Sequence, residues 1–223
     1  MTQAGPLNWV TGAGWLILVG GRGPEEGTSV ELDDRVLARA DFSRPVAFVP
    51  AASASLTAGE VLLDEYAALG GPPGYVVPIL HPADARDGEN ARLLADAGII
   101  ILADGDGVAL AQALQSSKAL DGMAEAFISG ALIVGVGAGA APLGELILAG
   151  DPPTTTPGWG WVGGALVAPH FCGAAHAPGL QAALRSQPGL VGLGLPDGVA
   201  LALGPEGQVE TWGEGEVTVV VAR

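Results

Sequence analysis

The stretch Ile133-Val134-Gly135-Val136-Gly137-Ala138-Gly139-Ala140 decides the fold. Its first part is an apolar run typical of a buried strand, and the small residues that follow let the backbone turn sharply into a helix. A strand that turns abruptly into a helix at the carboxyl edge of a sheet has the architecture of a nucleophile elbow. In such an elbow the central residue carries a reactive Ser or Cys, but here the central residue is Gly137. The alternative interpretation is an ordinary glycine-rich turn.

Similar apolar runs recur on both sides of this stretch, each followed by a turn and a helical pattern. This alternation predicts an α/β fold with a mostly parallel, doubly wound sheet, helices on both faces and an antiparallel C-terminal edge. We expect one domain over residues 1–223. The predicted strands are 15–19, 46–50, 75–79, 99–102, 131–134, 165–168, 190–193, 199–203, 209–212 and 217–221, and the predicted helices are 29–40, 57–69, 88–97, 108–127 with a break near Ser116, and 178–186.

Two local features refine these boundaries. Thr57 and Glu60 have the spacing of a capping box, which predicts that a helix begins there. Residues 151–164 are rich in Pro, Thr, Gly and Trp, which predicts a long loop. Trp159 and Trp161 in this segment are interpreted either as a flap over the site or as part of a packed loop.

Composition excludes several classes of function. The formal net charge of -15 disfavours nucleic acid and anionic lipid as partners. The single cysteine, Cys172, cannot form an internal disulfide, which favours a reduced, cytoplasmic setting. Residues 126–144 carry no charge, but glycines interrupt them, so we expect no membrane span. The positive mean hydropathy permits a homodimer without requiring one.

Motifs in several places resemble the cyanophycinase and aspartyl-dipeptidase group of serine peptidases, within the class I glutamine amidotransferase-like fold. The Gly-Gly turn after residues 16–19 and the stretch Val49-Pro50-Ala51-Ala52-Ser53 are similar to strand ends of that family. Ala103-Asp104-Gly105-Asp106-Gly107 stands where the family has a loop that supplies an oxyanion amide. Gly135 to Ala140 resembles the family's elbow, with Gly137 in place of the nucleophilic Ser.

The resemblance also implies site residues. Ala168-Pro169-His170-Phe171 is similar to the family's catalytic His motif, so His170 is the first catalytic candidate. Its acidic partner would be Asp151, fourteen residues after Gly137, or Asp197 in a later motif. Gly105, Asp106 and Ala138 would line the oxyanion site and cleft. The arginines that follow the His motif in the family are missing from residues 172–184.

The leading expectation is therefore a homologue without serine-peptidase activity that keeps a cleft for a small-molecule or peptide ligand and needs no cofactor. The alternative is an active hydrolase of the dipeptidase type that uses Cys172, or a water molecule held by His170 and Asp151. A metal site built from histidines with Asp104, Asp106 or Asp151 was also considered, but the spacing matches no standard ligand motif, so we expect no metal.

Overall fold

The computed structural model describes residues 7–22, 26–53, 55–150 and 153–222. Within these ranges the strands are β1 (Asn8–Trp9), β2 (Trp15–Val19), β3 (Val46–Val49), β4 (Gly74–Val76), β5 (Ile99–Leu102), β6 (Leu132–Val136), β7 (Gly144–Ala149), β8 (Thr154–Pro157), β9 (Val162–Ala168), β10 (Val191–Gly194), β11 (Ala200–Leu203), β12 (Val209–Trp212) and β13 (Thr218–Val221). The α-helices are α1 (Glu26–Leu37), α2 (Leu56–Ala68), α3 (Gly88–Asp96), α4 (Gly107–Leu114), α5 (Lys118–Ile128) and α6 (Ala177–Arg185).

The larger sheet contains the core of the fold. Its spatial order is β12-β11-β2-β6-β5-β3-β4, and the pairs from β2 to β4 are all parallel. The strands β3, β5 and β6 are almost completely buried, which agrees with their uninterrupted apolar sequences. Since parallel strands bring their carboxyl ends to one edge, the segments after β2, β5 and β6 meet there.

A second sheet, β13-β10-β9-β7-β8, lies beside the first, and β1 also pairs with β9. In this sheet β9 is parallel to β7 and β10, while β8 and β13 are antiparallel to their neighbours. The predicted α/β class with a mostly parallel sheet is confirmed. The predicted antiparallel C-terminal edge is divided between the two sheets, because β11 and β12 extend the larger sheet whereas β10 and β13 belong to the second.

The long loop predicted over residues 151–164 is wrong in part. β8 lies inside this segment and forms an antiparallel pair with β7, and β9 begins at Val162. Threonine favours β-strands, but composition alone did not distinguish the threonines of this segment from the surrounding Pro and Gly, which favour loops. The break in the fourth predicted helix is confirmed, because α4 ends at Leu114 and Ser117 caps the start of α5.

Trp161 is buried and packs against Phe127, with ring centroids 5.9 Å apart. Phe127 lies at the end of α5, and its carbonyl accepts a hydrogen bond from Gly14, just before β2 begins. The pair therefore lies at the amino ends of the parallel strands, away from the elbow. The flap interpretation is wrong for Trp161, and the packed interpretation holds.

No helix within the described ranges is long and apolar enough to cross a membrane. The single domain, the homodimer and the exclusion of nucleic acid stay predictions.

The predicted capping box at Thr57 is wrong, because Ser55 is the N-cap of α2 and its hydroxyl accepts a hydrogen bond from the Ala58 amide at 3.3 Å.

We expect Ser55→Ala to lower the free energy of unfolding by about 1 kcal/mol, because an amide at the helix start loses its acceptor. Thr57→Ala, inside the first turn, is the matched control and should change it by less than about 0.5 kcal/mol. Urea unfolding of both variants measures this, and a larger loss in Thr57→Ala would contradict the assignment.

Candidate active site

The predicted elbow lies at the carboxyl edge of the larger sheet. β6 ends at Val136, and Gly137 begins a short 3-10 helix that runs to Leu143. Gly137 has a φ of 52°, in the left-handed region that glycine adopts without steric cost. The chain therefore has the sharp strand-to-helix turn of a nucleophile elbow, with a left-handed residue at its centre and no side chain on it.

A carboxylate occupies the place that a side chain at position 137 would take. Asp104 follows β5, the neighbour of β6 in the sheet. A Cβ atom built on Gly137 would overlap the carboxyl carbon and both oxygens of Asp104. Asp104 as it stands and a side chain at position 137 therefore exclude each other.

Two backbone amides hold this carboxylate. The amide of Ala138, the residue after the elbow centre, donates to Oδ1 of Asp104 at 2.7 Å. The amide of Gly105 donates to the same oxygen at 2.7 Å. Ala138 and Gly105 were expected to line an oxyanion site, and the structure brings their amides together around one negatively charged oxygen. The arrangement is what an oxyanion hole presents to a tetrahedral intermediate.

His170 lies between two carboxylates. Its Nδ1 is 2.7 Å from Oδ1 of Asp197, and its Nε2 is 3.2 Å from Oδ2 of Asp104. His170 has a φ of 51°, an uncommon conformation for a residue other than glycine, and its amide donates to the Gly20 carbonyl at 2.8 Å. Such backbone strain is typical of functional sites. Side chains from the segments that follow β5, β9 and β10 thus form one row, Asp104-His170-Asp197.

The two carboxylates change the acidity of the imidazole. Burial lowers the pKa of His170, but hydrogen bonds to Asp197 and Asp104 and the charges of both groups raise it by more, so the pKa lies above the usual histidine value. An imidazolium can donate from both ring nitrogens, one hydrogen bond to each carboxylate. The two carboxylates therefore stabilise the protonated form of His170 relative to that of a free imidazole.

The Gly-Gly turn after β2 forms the floor under this row. A Cβ atom on Gly21 would overlap Oδ1 of Asp197 and would lie 2.7 Å from the Nδ1 and Cε1 atoms of His170. The Gly21 carbonyl accepts a hydrogen bond from Gly198, next to Asp197. Because Gly21 has no side chain, His170 and Asp197 can lie close to the edge of the sheet.

The remaining expected site residues have other positions. Asp106 caps α4 by accepting from the amides of Val108 and Ala109, at 2.9 and 3.0 Å. Cys172 is exposed, and its thiol contacts the carbonyl oxygen of His170 at 3.5 Å, not an imidazole ring. Asp151 lies outside the described residues, and within them it is Asp197 that contacts His170. In that same part of the chain no group of three His, Cys, Asp or Glu is arranged to hold a metal ion.

Two cavities flank the row. One of about 440 Å³ is lined by Asp104 and His170 together with apolar side chains of α2 and the sheet, among them Phe48, Leu62 and Ile101. The other, of about 1000 Å³, lies on the side of Ala138, between the start of α4 and the second sheet. Both volumes fall in the range of small-ligand sites.

Asp104 is the site residue that sequence reasoning missed. It was considered only as a metal ligand, because its loop was compared with the family's oxyanion loop as a whole. The signal in the sequence was a pair of departures from the family's motifs, one to a smaller side chain and one to a larger side chain. The elbow has Gly137 where the resemblance implies a Ser, and the neighbouring loop has Asp104 where the resemblance implies a Gly.

An elbow at the sheet edge, two amides that bind one anionic oxygen and a His-Asp pair are the parts of a site built around a nucleophile elbow. The model of peptidase family S51 matches residues 16–209, and this chain belongs to that family. The resemblance inferred from the motifs is thus confirmed. The search of curated proteins found no match to this chain.

Two solved structures share the fold. A peptidase from an acI-B1 actinobacterium superposes with a TM-score of 0.77 at 21% identity, covering 95% of this chain and 96% of that one. A proposed peptidase E protein from Listeria monocytogenes EGD-e has a TM-score of 0.62 at 18% identity, covering 91% of this chain and 99% of that one. This chain therefore has a peptidase E-like, class I glutamine amidotransferase-like fold.

The raised pKa of His170 predicts a measurable titration. We expect NMR of the imidazole to give a pKa above the usual value near 6.5, lower in Asp197→Asn and in Asp104→Asn because each loses one anionic partner. Since the folded pKa exceeds the unfolded one, the stability gained from protonation is fully present below about pH 6.5. It is lost as pH rises through the folded pKa. A wild-type pKa at or below 6.5 would contradict the assigned contacts.

The floor under the His-Asp pair gives a second prediction. We expect Gly21→Ala to destabilise the protein by about 1–3 kcal/mol and to lower the pKa of His170, because the new methyl group displaces Asp197 from the ring. Gly88→Ala is the control, since a Cβ there meets open space and alanine favours a helix. Urea unfolding and imidazole titration of both variants check this. An unchanged His170 titration in Gly21→Ala would show that the pair does not depend on this close approach.

Proposed function

We propose that this chain is a peptidase-family homologue that has lost serine-dependent acyl transfer and uses its cleft to bind a small ligand in a reduced, cytoplasmic setting. The observation that carries the proposal is the position of the Asp104 carboxylate. It lies where the nucleophile's side chain would be, and one of its oxygens accepts both amides of the oxyanion hole.

Asp104 takes the place of the nucleophile's side chain and also binds the two amides, and each of these contacts blocks a separate step of peptide hydrolysis. Formation of an acyl-enzyme needs a hydroxyl or thiol beside the histidine, and here Nε2 of His170 faces a carboxylate instead. The tetrahedral intermediate needs free amide donors, but those of Ala138 and Gly105 already bind Asp104. Loss of a nucleophile alone typically lowers the rate by several orders of magnitude.

The smaller cavity favours a ligand without a carboxylate. Arg22 lines it, but its guanidinium is paired with Glu65 at 2.8 Å and with Asp33 at 3.4 Å. The other charged groups there include the carboxylates of Glu65 and Asp104. A small, uncharged and largely apolar ligand suits these walls and charges. An anionic peptide, the kind of ligand that the family's arginines would bind, suits them less well.

The alternative hydrolase through Cys172 gains no support from the geometry, because the thiol contacts a backbone carbonyl and both nitrogens of the His170 ring face carboxylates. A water molecule activated by His170 would have to displace Asp104 from Nε2.

Paired substitutions test the proposal with a fluorophosphonate probe, which labels activated serines. Wild type should remain unlabelled. Gly137→Ser alone should also remain unlabelled, because its side chain overlaps Asp104. Asp104→Gly combined with Gly137→Ser should be labelled, because that pair removes the obstruction and places a hydroxyl beside His170. The matched control is Asp104→Gly with Gly137→Ala, which has the space but no hydroxyl.

Thermal unfolding of every variant separates loss of labelling from loss of fold. Wild-type hydrolysis of Asp-X dipeptides or β-aspartyl-arginine that disappears in His170→Ala or Cys172→Ser would overturn the proposal. A folded double variant that is not labelled would contradict the claim that the rest of the serine site is preserved.

A further inference from the structure

We propose that Asp104 is itself a nucleophile and that this site hydrolyses small apolar epoxides through a covalent aspartyl ester. The inference rests on the proposed function in that the smaller cavity must admit an uncharged ligand. It goes beyond it by assigning a reaction to the group that replaces the serine.

The geometry distinguishes the two oxygens of the carboxylate. Oδ1 is fixed by the amides of Ala138 and Gly105, each at 2.7 Å. Oδ2 receives neither of these bonds, and Nε2 of His170 lies about equally far from the two oxygens, 3.2 Å from Oδ2 and 3.3 Å from Oδ1. Asp104 and His170 both line the cavity of about 440 Å³. A ligand there meets a carboxylate oxygen, an imidazole nitrogen and apolar walls at the same end.

A carboxylate is a poor nucleophile toward an amide, because the product would be a reactive anhydride. It is a competent nucleophile toward a saturated carbon in a strained ring, because the product is an ordinary ester. In the first step Oδ2 of Asp104 forms a bond to one ring carbon and the carbon-oxygen bond of the epoxide breaks. The electron pair of that bond goes to the epoxide oxygen, which takes the proton from Nε2 of His170. The result is a hydroxyalkyl ester and a neutral imidazole.

In the second step His170 takes a proton from water, and the hydroxide formed attacks the carboxyl carbon of Asp104. Negative charge develops on Oδ1, which already lies between two amide donors. Collapse breaks the bond between the carboxyl carbon and Oδ2, and the diol leaves with the proton from His170. The new carboxylic acid then gives its proton to His170, which restores the resting ion pair. The balance is one epoxide plus one water to one vicinal diol.

Electrostatics changes the role of His170 between these steps. In the resting state the carboxylate of Asp104 contributes to the raised pKa of the imidazole, which stabilises the protonated form that donates in the first step. Conversion of that carboxylate into a neutral ester removes one anionic partner, so the pKa falls and His170 becomes a better base. Asp197, 2.7 Å from Nδ1, keeps the ring oriented throughout.

The decisive experiment is a single turnover of styrene oxide in H₂¹⁸O with enzyme in excess. We expect the Asp104 side chain to gain one ¹⁸O atom and the diol formed in that turnover to gain none, because water attacks the ester carbonyl carbon. Peptide mass spectrometry locates the label. In His170→Gln, which lacks both the acid of the first step and the base of the second, neither diol nor an adduct on the peptide that contains Asp104 should form above the level of Asp104→Asn.

Asp104→Asn should lower turnover about a thousandfold or more. Asp121→Asn, an exposed carboxylate at the start of α5, should leave it unchanged. Diol that carries ¹⁸O from the first turnover would overturn the proposal in favour of direct attack by water. Failure of folded wild type to form diol above the buffer rate would also overturn it. Neither result affects the proposed function, which fails only if wild type hydrolyses the peptides or is labelled by the fluorophosphonate.

Discussion

One carboxylate oxygen joins the segments on which this site depends. Oδ1 of Asp104 accepts amides from its own loop and from the elbow, which follow two different strands. The imidazole of His170, which follows a third strand, contacts the same carboxylate. Amides at the start of a helical turn need an acceptor, and a negative charge is favourable there. Asp104 supplies both from within the protein. The same contacts direct the protonation of His170.

The central strands β2, β3, β5 and β6 of the larger sheet were predictable because each is a short, largely apolar run bounded by turn residues, and burial on both faces demands that pattern. Predicted and observed bounds agree for β2, β5 and β12. The division into two sheets was not predictable. It depends on which strands pair, and β10 and β11 are close in sequence and similar in composition, yet they belong to different sheets. Helix starts were also missed where a cap such as Ser55 lay outside the expected motif.

The site was predictable where it follows from local backbone and not where it follows from long-range packing. The elbow and His170 lie in short motifs that survive in the sequence. The acidic partner had two candidates, and spacing along the chain did not distinguish them because Asp197 reaches the ring across the sheet edge. The displacement of a nucleophile by Asp104 depends on a distance between two loops 33 residues apart, which no periodic pattern encodes.

The steric exclusion between Asp104 and a side chain at position 137 also makes these two positions interdependent. With Asp104 in this conformation, a serine at position 137 meets the carboxylate. A glycine at position 104 without a serine at position 137 leaves an elbow with no reactive group. The effect of a substitution at either position therefore depends on the residue at the other, and the two have to be interpreted as one unit.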